Sequence, residues 1–301
     1  MEIRTVSVKS IMDLFREELK NDYDEREINQ FVFILFNEWK GWSRMQIQLN
    51  YEKFLSEKEI TEFHNALRKL KNHVPIQYIT GRTYFYGLHL SVNPDVLIPR
   101  PETEELMDII IKENAYSKTK SISVLDIGTG SGCIAVCMKR YFPLASVCAI
   151  EKSENAIKVA KENAKRNDCP VDFRHFDIFH KKGWIDFPSF DVIVSNPPYV
   201  MESEKKDMRI NVLDHEPWDA LFVSDHDPLK FYSVIAEFGL THLNRPGLVY
   251  LEINEKFGIE VKTLFLKNGF DKAEIMRDIN GKDRFLRAEL NTFVNPELSL
   301  H

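Results

Sequence analysis

No apolar run in this sequence approaches the roughly 20 residues that a membrane-spanning helix needs. The longest, such as Phe31 to Phe36 and Asp191 to Ser195 with its Val-Ile-Val centre, stop well short. Met1-Glu2-Ile3-Arg4 lacks the basic start, apolar middle and small-residue cleavage site of a secretory signal, so a soluble protein of the cytosol is expected. Cysteine is scarce. Cys133, Cys137, Cys148 and Cys169 contain no C-x-x-C pair, and Cys133 and Cys137 are spaced to share a helix face, which reads as buried thiols rather than metal ligands or disulfides. The nine histidines show no metal-ligand spacing, and no metal site is expected. Positive charge is not in excess either. The net charge of -6 argues against a protein that grips long nucleic acid through its phosphates. No repeat or low-complexity segment stands out, and 301 residues with 44% apolar content allow a sizeable core in one large domain or two.

Up to about residue 72 the chain reads as helices. Ile11, Leu14, Phe15 and Leu19 recur at helical spacing, as do Ile60, Phe63, Leu67 and Leu70. Ser56 and Glu59 have the capping-box spacing that starts the second set. No glycine-rich loop or catalytic constellation occurs there, which fits a structural bundle or a holder of a partner. At Pro75 an aromatic and β-branched run begins, broken by Gly81, Gly87 and Asn93-Pro94-Asp95, which predicts a hairpin connector. From Ser121 the order becomes strand, glycine loop, helix, strand: Ile122 to Ile127, a helix through Arg140, then Ser146 to Ile150. Further strands are expected at Val171 to Arg174, Asp191 to Ser195, Gly247 to Ile253, Ala273 to Met276 and Arg284 to Glu289. That alternation predicts an α/β domain with a mainly parallel sheet covered by helices. The boundaries expected are 1–74 for the helical domain, 75–100 for the hairpin linker and 101–292 for the α/β domain.

Gly128, Thr129, Gly130, Ser131 and Gly132 follow the buried strand Val124-Leu125-Asp126-Ile127 and precede a helix. Three glycines there let the backbone turn sharply and approach a ligand closely. Their G-x-G-x-G spacing differs from the G-x-G-x-x-G of most dinucleotide sites, so a pyrophosphate ligand is disfavoured. Glu151 stands after the second strand, where an acid accepts hydrogen bonds from both ribose hydroxyls of a nucleoside ligand. Asp177, after the next strand, has two readings: acceptor of an adenine amino group, with Ile178 packing nearby, or a helix cap.

Asn196-Pro197-Pro198-Tyr199 ends a buried strand on the side where open α/β sheets bind ligands. Two prolines fix the turn and remove two N–H donors, leaving carbonyl acceptors. A glutamine or adenine amino nitrogen is a poor nucleophile, because its lone pair is delocalised. Such a nitrogen must be held and aimed. The Asn196 side-chain oxygen and the Pro197 carbonyl can accept its two hydrogens, and the Tyr199 ring can cover the planar group. Orientation and preorganised acceptors then supply the acceleration, without a strong base, a metal or a covalent enzyme intermediate.

The whole pattern resembles the HemK-type protein-glutamine N5-methyltransferases, those that modify peptide chain release factors. The resemblance runs over most of the chain: Pro75-Ile76-Gln77-Tyr78-Ile79-Thr80-Gly81 and Ile98-Pro99-Arg100-Pro101-Glu102-Thr103-Glu104 before the loop, then Glu216-Pro217, Ala220-Leu221-Phe222, Phe231-Tyr232, Leu251-Glu252-Ile253 and Asp278 to Arg284 after the tetrapeptide. It implies a Rossmann-like class I S-adenosylmethionine-dependent methyltransferase domain, a small helical N-terminal domain and a β-hairpin linker. It also implies S-adenosyl-L-methionine on Gly128 to Gly132, Glu151 and Asn196, yielding S-adenosyl-L-homocysteine, and the substrate glutamine on Asn196 to Tyr199. A release factor would be the partner, met by the helical domain, with no stable nucleic-acid partner and no membrane. The chain departs from the family pattern at Trp218-Asp219, where a basic residue is often found, at Val223-Ser224 in place of a glycine-rich turn, and at Asn254 in place of glycine. Arg100 and Glu102 read either as site residues or as an ion pair ordering the connector. The alternatives to the resemblance are an adenine-N6 methyltransferase of nucleic acid, since those enzymes carry similar tetrapeptides, and a cofactor-binding regulator without catalysis.

Overall fold

The computed structural model describes residues 6–114 and 119–291; the Met1 to Arg4 start and the expected domain end at residue 292 lie outside them. The chain divides into two compact units: the residues through Gly81 together with Arg209–His215, and the remainder from Arg82. Among the described residues no helix is long and apolar enough to cross a membrane.

The first unit is helical: α1 (Val8–Leu19), α2 (Glu25–Lys40), α3 (Arg44–Leu49), α4 (Glu57–Lys71) and α5 (Ile76–Thr80). Its core gathers Ile11, Phe15, Leu19, Phe63, Leu67 and Leu70 from the two apolar stripes the periodicity picks out, together with Leu35 and Phe36 of α2, while Leu14 and Ile60 pack against it partly buried. The Ser56–Glu59 capping box is formed, with the Ser56 N–H donating to Glu59 Oε2 at 2.7 Å. One element differs from expectation. Pro75 to Gly81, read as the start of a hairpin connector, is a helical turn with Ile76 in the core of this unit. Pro75 at the N-cap and Gly81 in the left-handed region (φ 71°) start and stop that turn, outweighing the β-branched composition between them. Residues 209–215 supply a further helix to this unit, ending in a hydrogen bond between His215 Nε2 and the Asn72 carbonyl at 2.8 Å.

The second unit opens with the hairpin β1 (Arg82–Phe85) and β2 (Leu88–Ser91). It continues through α6 (Pro101–Glu113), β3 (Ser123–Ile127), α7 (Cys133–Tyr141), β4 (Ser146–Glu151), α8 (Glu154–Arg166), β5 (Asp172–His175), β6 (Phe190–Ser195) and β7 (Val200–Met201). After the excursion α9 (Ile210–His215) come β8 (Phe222–Val223), α10 (Lys230–His242), β9 (Leu243–Glu252), α11 (Gly258–Asn268), β10 (Lys272–Arg277) and β11 (Asp283–Leu290). The main sheet has the order β10-β11-β9-β6-β3-β4-β5. Its strands β9, β6, β3, β4 and β5 are parallel, and β11 runs antiparallel to both β9 and β10. Fully buried strands such as Val192-Ile193-Val194 sit in its centre. The four cysteines are free thiols, and Cys137, Cys148 and Cys169 are buried.

Strand order sets the ligand crevice. From β3 the chain proceeds outward to β4 and β5, then returns to place β6 on the other side of β3. The loops leaving β3 and β6 therefore diverge, and an open α/β sheet binds ligands at the carboxyl end of its strands where the order reverses in this way.

Candidate active site

Strand register brings the separate motifs to one level. Ile127 pairs with Ile150 on β4 and with Ser195 on β6, and Ser195 pairs with Leu251 on β9. The next residue on each strand is therefore Gly128, Glu151, Asn196 and Glu252. The Ser195 hydroxyl donates to the Ile127 carbonyl at 2.6 Å and pins the two central strand ends together. Above them lies a cavity of about 550 Å³, within the usual range for a small-molecule site. Gly128, Thr129, Gly130, Ser131, Glu151, Asp177, Ile178, Asn196, Pro197 and Pro198 all line it; Gly132 and Tyr199 lie outside its wall.

The glycines have different reasons. Gly128 and Gly130 adopt φ of 73° and 53°, and a Cβ on either would meet only open space. Gly132, at φ 80°, packs against α8, where a Cβ would stand 3.0 Å from the Ala160 Cβ. Asn163 of α8 secures the end of the loop by donating to the Ser131 carbonyl at 2.8 Å and the Ser91 carbonyl at 2.9 Å. Glu151 accepts from the Gly130 N–H at 3.1 Å and the Ser153 N–H at 2.9 Å, one on each oxygen. Each oxygen retains acceptor capacity for a ligand. Asp177 is exposed, and its Oδ1 accepts from the Phe179 N–H at 2.9 Å, a local turn bond of the capping kind.

Asp126, at the end of β3, is fully buried. Its Oδ2 accepts from the Thr129 hydroxyl at 2.6 Å and the Ala135 N–H at 3.2 Å, while Oδ1 is without a partner among the described residues. Burial pushes this carboxyl up to about 7, against the pull of those two donors.

On the tetrapeptide side, Asn196 Nδ2 donates to Thr103 Oγ1 at 3.0 Å, and Thr103 Oγ1 donates to Glu252 Oε2 at 2.7 Å. The Tyr199 hydroxyl donates to Glu252 Oε1, also at 2.7 Å, and its ring packs against the main core. Burial holds the Tyr199 phenol well above its ordinary range, with the Glu252 charge adding to the effect, so it remains a donor. Asn254, where the resembled family carries glycine, donates from Nδ2 to the Tyr199 carbonyl at 3.0 Å and so braces the turn. Arg100 finds its partner in buried Glu216, with Nη2 to Oε1 at 2.5 Å, and Glu216 also takes the Ile98 N–H at 3.2 Å. The ion pair that Arg100 forms is thus with Glu216 and not with Glu102, and Arg100 also lines the cavity. At Trp218, where a basic residue is common in that family, the Lys205 ammonium lies 4.0 Å over the indole.

Sequence reasoning gave no site role to Thr103, Phe179 or Phe231, although Thr103 and Phe231 stand in segments that carry the resemblance. Phe179 and Phe231 line the cavity as an edge-to-face pair with centroids 5.1 Å apart. A phenylalanine in Asp177-Ile178-Phe179-His180 has no signal that separates a cavity wall from ordinary core. Glu252 had one: a lone acid closing the apolar run Leu248 to Leu251 at a strand's carboxyl end.

Two family models match the chain: the PrmC N-terminal domain over residues 11–81 and the methyltransferase small domain over residues 106–215. A release factor glutamine methyltransferase of Flavobacterium psychrophilum is 41% identical over 281 residues, which is 93% of this chain and 98% of that protein. Another of Bacteroides thetaiotaomicron is 42% identical over 273 residues, 91% of this chain and 96% of that protein. A methyltransferase from Pyrococcus furiosus is similar in structure at a TM-score of 0.50 and 20% identity, over 76% of this chain and 99% of that chain, and so shares the fold.

Proposed function

This chain belongs to the family of release factor glutamine methyltransferases, and we propose that it methylates the side-chain amide nitrogen of a glutamine in a peptide chain release factor, using S-adenosylmethionine. The observation that carries the reading is the register that sets Gly128, Glu151 and Asn196 at one level around a single cavity.

The residues present fit that cofactor. A cavity of about 550 Å³ accommodates it, two positive-φ glycines leave open space, and the acidic groups suit its hydroxyls and its cationic end. Glu151 holds the ribose with its remaining acceptor sites. Ile178, Phe179 and Phe231 form an apolar wall for a purine ring, with Asp177 at its edge. When bound, S-adenosylmethionine supplies an electrophilic methyl on sulfur and departs as S-adenosylhomocysteine.

The chain's own residues prepare the acceptor. Asn196 Oδ1 and the Pro197 carbonyl accept the two amide hydrogens, which fixes the nitrogen and draws density onto it. Pro197 and Pro198 keep this turn rigid, so little reorganisation is needed as positive charge develops on nitrogen. Tyr199 acts from behind the wall by anchoring the turn to Glu252. The proton shed after transfer goes to water, since the methylated amide cation is strongly acidic. The helical unit recognises the folded factor, and remote binding there positions the glutamine.

Asn196→Ala should impair turnover far more than cofactor affinity, with a barrier increase of about 3 kcal/mol or more. Single-turnover assays with labelled cofactor on extracts lacking the enzyme, with and without nuclease, test acceptor and role together. A nuclease-resistant band of release-factor size carrying N5-methylglutamine is expected. Label confined to nuclease-sensitive material, or near-wild-type rates for Asn196→Ala, would overturn the reading.

A further inference from the structure

On the reading that Asn196 holds the acceptor amide, we propose that Thr103 and Glu252 are positioning residues that determine which end of the Asn196 amide is offered to the substrate.

Thr103 Oγ1 stands 2.7 Å from Glu252 Oε2 and 3.0 Å from the Asn196 side chain. A hydroxyl has one hydrogen to give, and an ionised carboxylate only accepts, so as long as Glu252 is ionised the threonine hydrogen goes to it. Thr103 Oγ1 can then only accept from Asn196, which must present its NH2 end. Oδ1 is left to the ligand, and among the described residues it accepts no hydrogen bond. With the amide reversed, Asn196 would offer N–H groups to a substrate amide that itself presents N–H groups, donor against donor. Glu252 cannot easily take another role, because it is buried and its second oxygen is held by the Tyr199 hydroxyl at 2.7 Å. The link joins three elements: Thr103 lies in the first turn of α6, Glu252 ends β9 and Asn196 follows β6.

The arrangement is sensitive to the charge of Glu252. Burial pushes its carboxyl up, while the Thr103 and Tyr199 hydroxyls and the Arg284 guanidinium pull it down; Glu102, Tyr232 and Cys133 also face it. A proton on Oε2 would make Glu252 the donor to Thr103. The threonine hydrogen would then turn to Asn196 and favour the reversed amide. Turnover should fall on the acid side, with a limb above the ordinary glutamate range.

Single-turnover methylation of a release factor at saturating cofactor, measured across pH for wild type, Thr103→Ser, Thr103→Val, Glu252→Gln and Asn196→Ala, tests this. Thr103→Ser keeps the hydroxyl and should stay within about threefold of wild type, whereas Thr103→Val should be slower by about 30-fold or more. Cofactor affinity should be unchanged in both. Glu252→Gln, which keeps the side-chain shape, is the independent variant and should be slow and lack the acid limb. Equal rates for Thr103→Ser and Thr103→Val, or an acid limb that survives in Glu252→Gln, would overturn the positioning role. Full activity of Thr103→Val beside an inactive Asn196→Ala would defeat this inference alone. Full activity of Asn196→Ala would defeat the reading beneath it.

Discussion

Asp126 has a buried carboxyl oxygen without a partner among the described residues, and its proton affinity makes that position measurable. In the fold burial pushes the group up from 3.8 to about 7, so the folded state favours the neutral form. The contribution to stability is therefore fully present below the unfolded value and is lost as pH rises through the folded one. Relative to Asp126→Asn, whose amide stays neutral, the wild type should lose melting temperature between about pH 4 and about pH 7. A constant difference across that window would show that the carboxyl is ionised throughout. Glu151 calls for a binding measurement. Glu151→Ala should cost about 1.5 to 3 kcal/mol of S-adenosylmethionine affinity by calorimetry, through lost charge-assisted hydrogen bonds. Its chemistry was legible in the sequence, since an acid after the second strand faces the crevice in any such sheet. Its second duty, holding the Gly130 N–H, was not legible, because it depends on how the loop folds back.

Among elements, the glycine loop separates two kinds of cost. Gly130→Ala meets only left-handed strain, about 1 to 2 kcal/mol. Gly132→Ala adds a Cβ that stands 3.0 Å from the Ala160 Cβ and 3.2 Å from its Cα, so α7 and α8 must part. Chemical denaturation should rank Gly132→Ala as clearly the more destabilising, and similar losses would refute the packing role. Helix α4 offers a second test. Ser56→Ala should cost about 1 kcal/mol by removing the cap. Its partner Glu59 is held down at about 2, mainly by the hydrogen bond from Lys40. That contribution is present above the ordinary glutamate value and lost as pH falls from there toward about 2. Glu59→Gln should flatten this part of the acid unfolding curve. The cap was readable from a four-residue spacing, but Lys40 was not, because it comes from another helix.

For the whole molecule, the expected test concerns the acceptor. If the helical unit docks a folded release factor, kcat/KM for the intact factor should exceed that for a short peptide around the same glutamine by about 100-fold. Equal values would leave the chemistry in place and remove the docking role.

The apolar periodicities of α1 and α4, the buried runs of β3 and β6, the glycine spacing and the Asn-Pro-Pro-Tyr turn are local properties, set by neighbours within a few residues. They were determined by the sequence itself, and with them the α/β class and the methyl-transfer chemistry. Tertiary structure alone decided what depends on pairing between distant segments. The order β9-β6-β3-β4 brings Glu252 to the level of Asn196. Thr103 then meets Glu252 across 149 residues of chain, and Arg100 meets Glu216 across 116. Residues 209–215 join the helical unit although they come after the tetrapeptide. No local signal encodes such partnerships, because a buried polar group is satisfied by whichever complement the packed sheet presents to it, and that complement exists only once the strands have found their register.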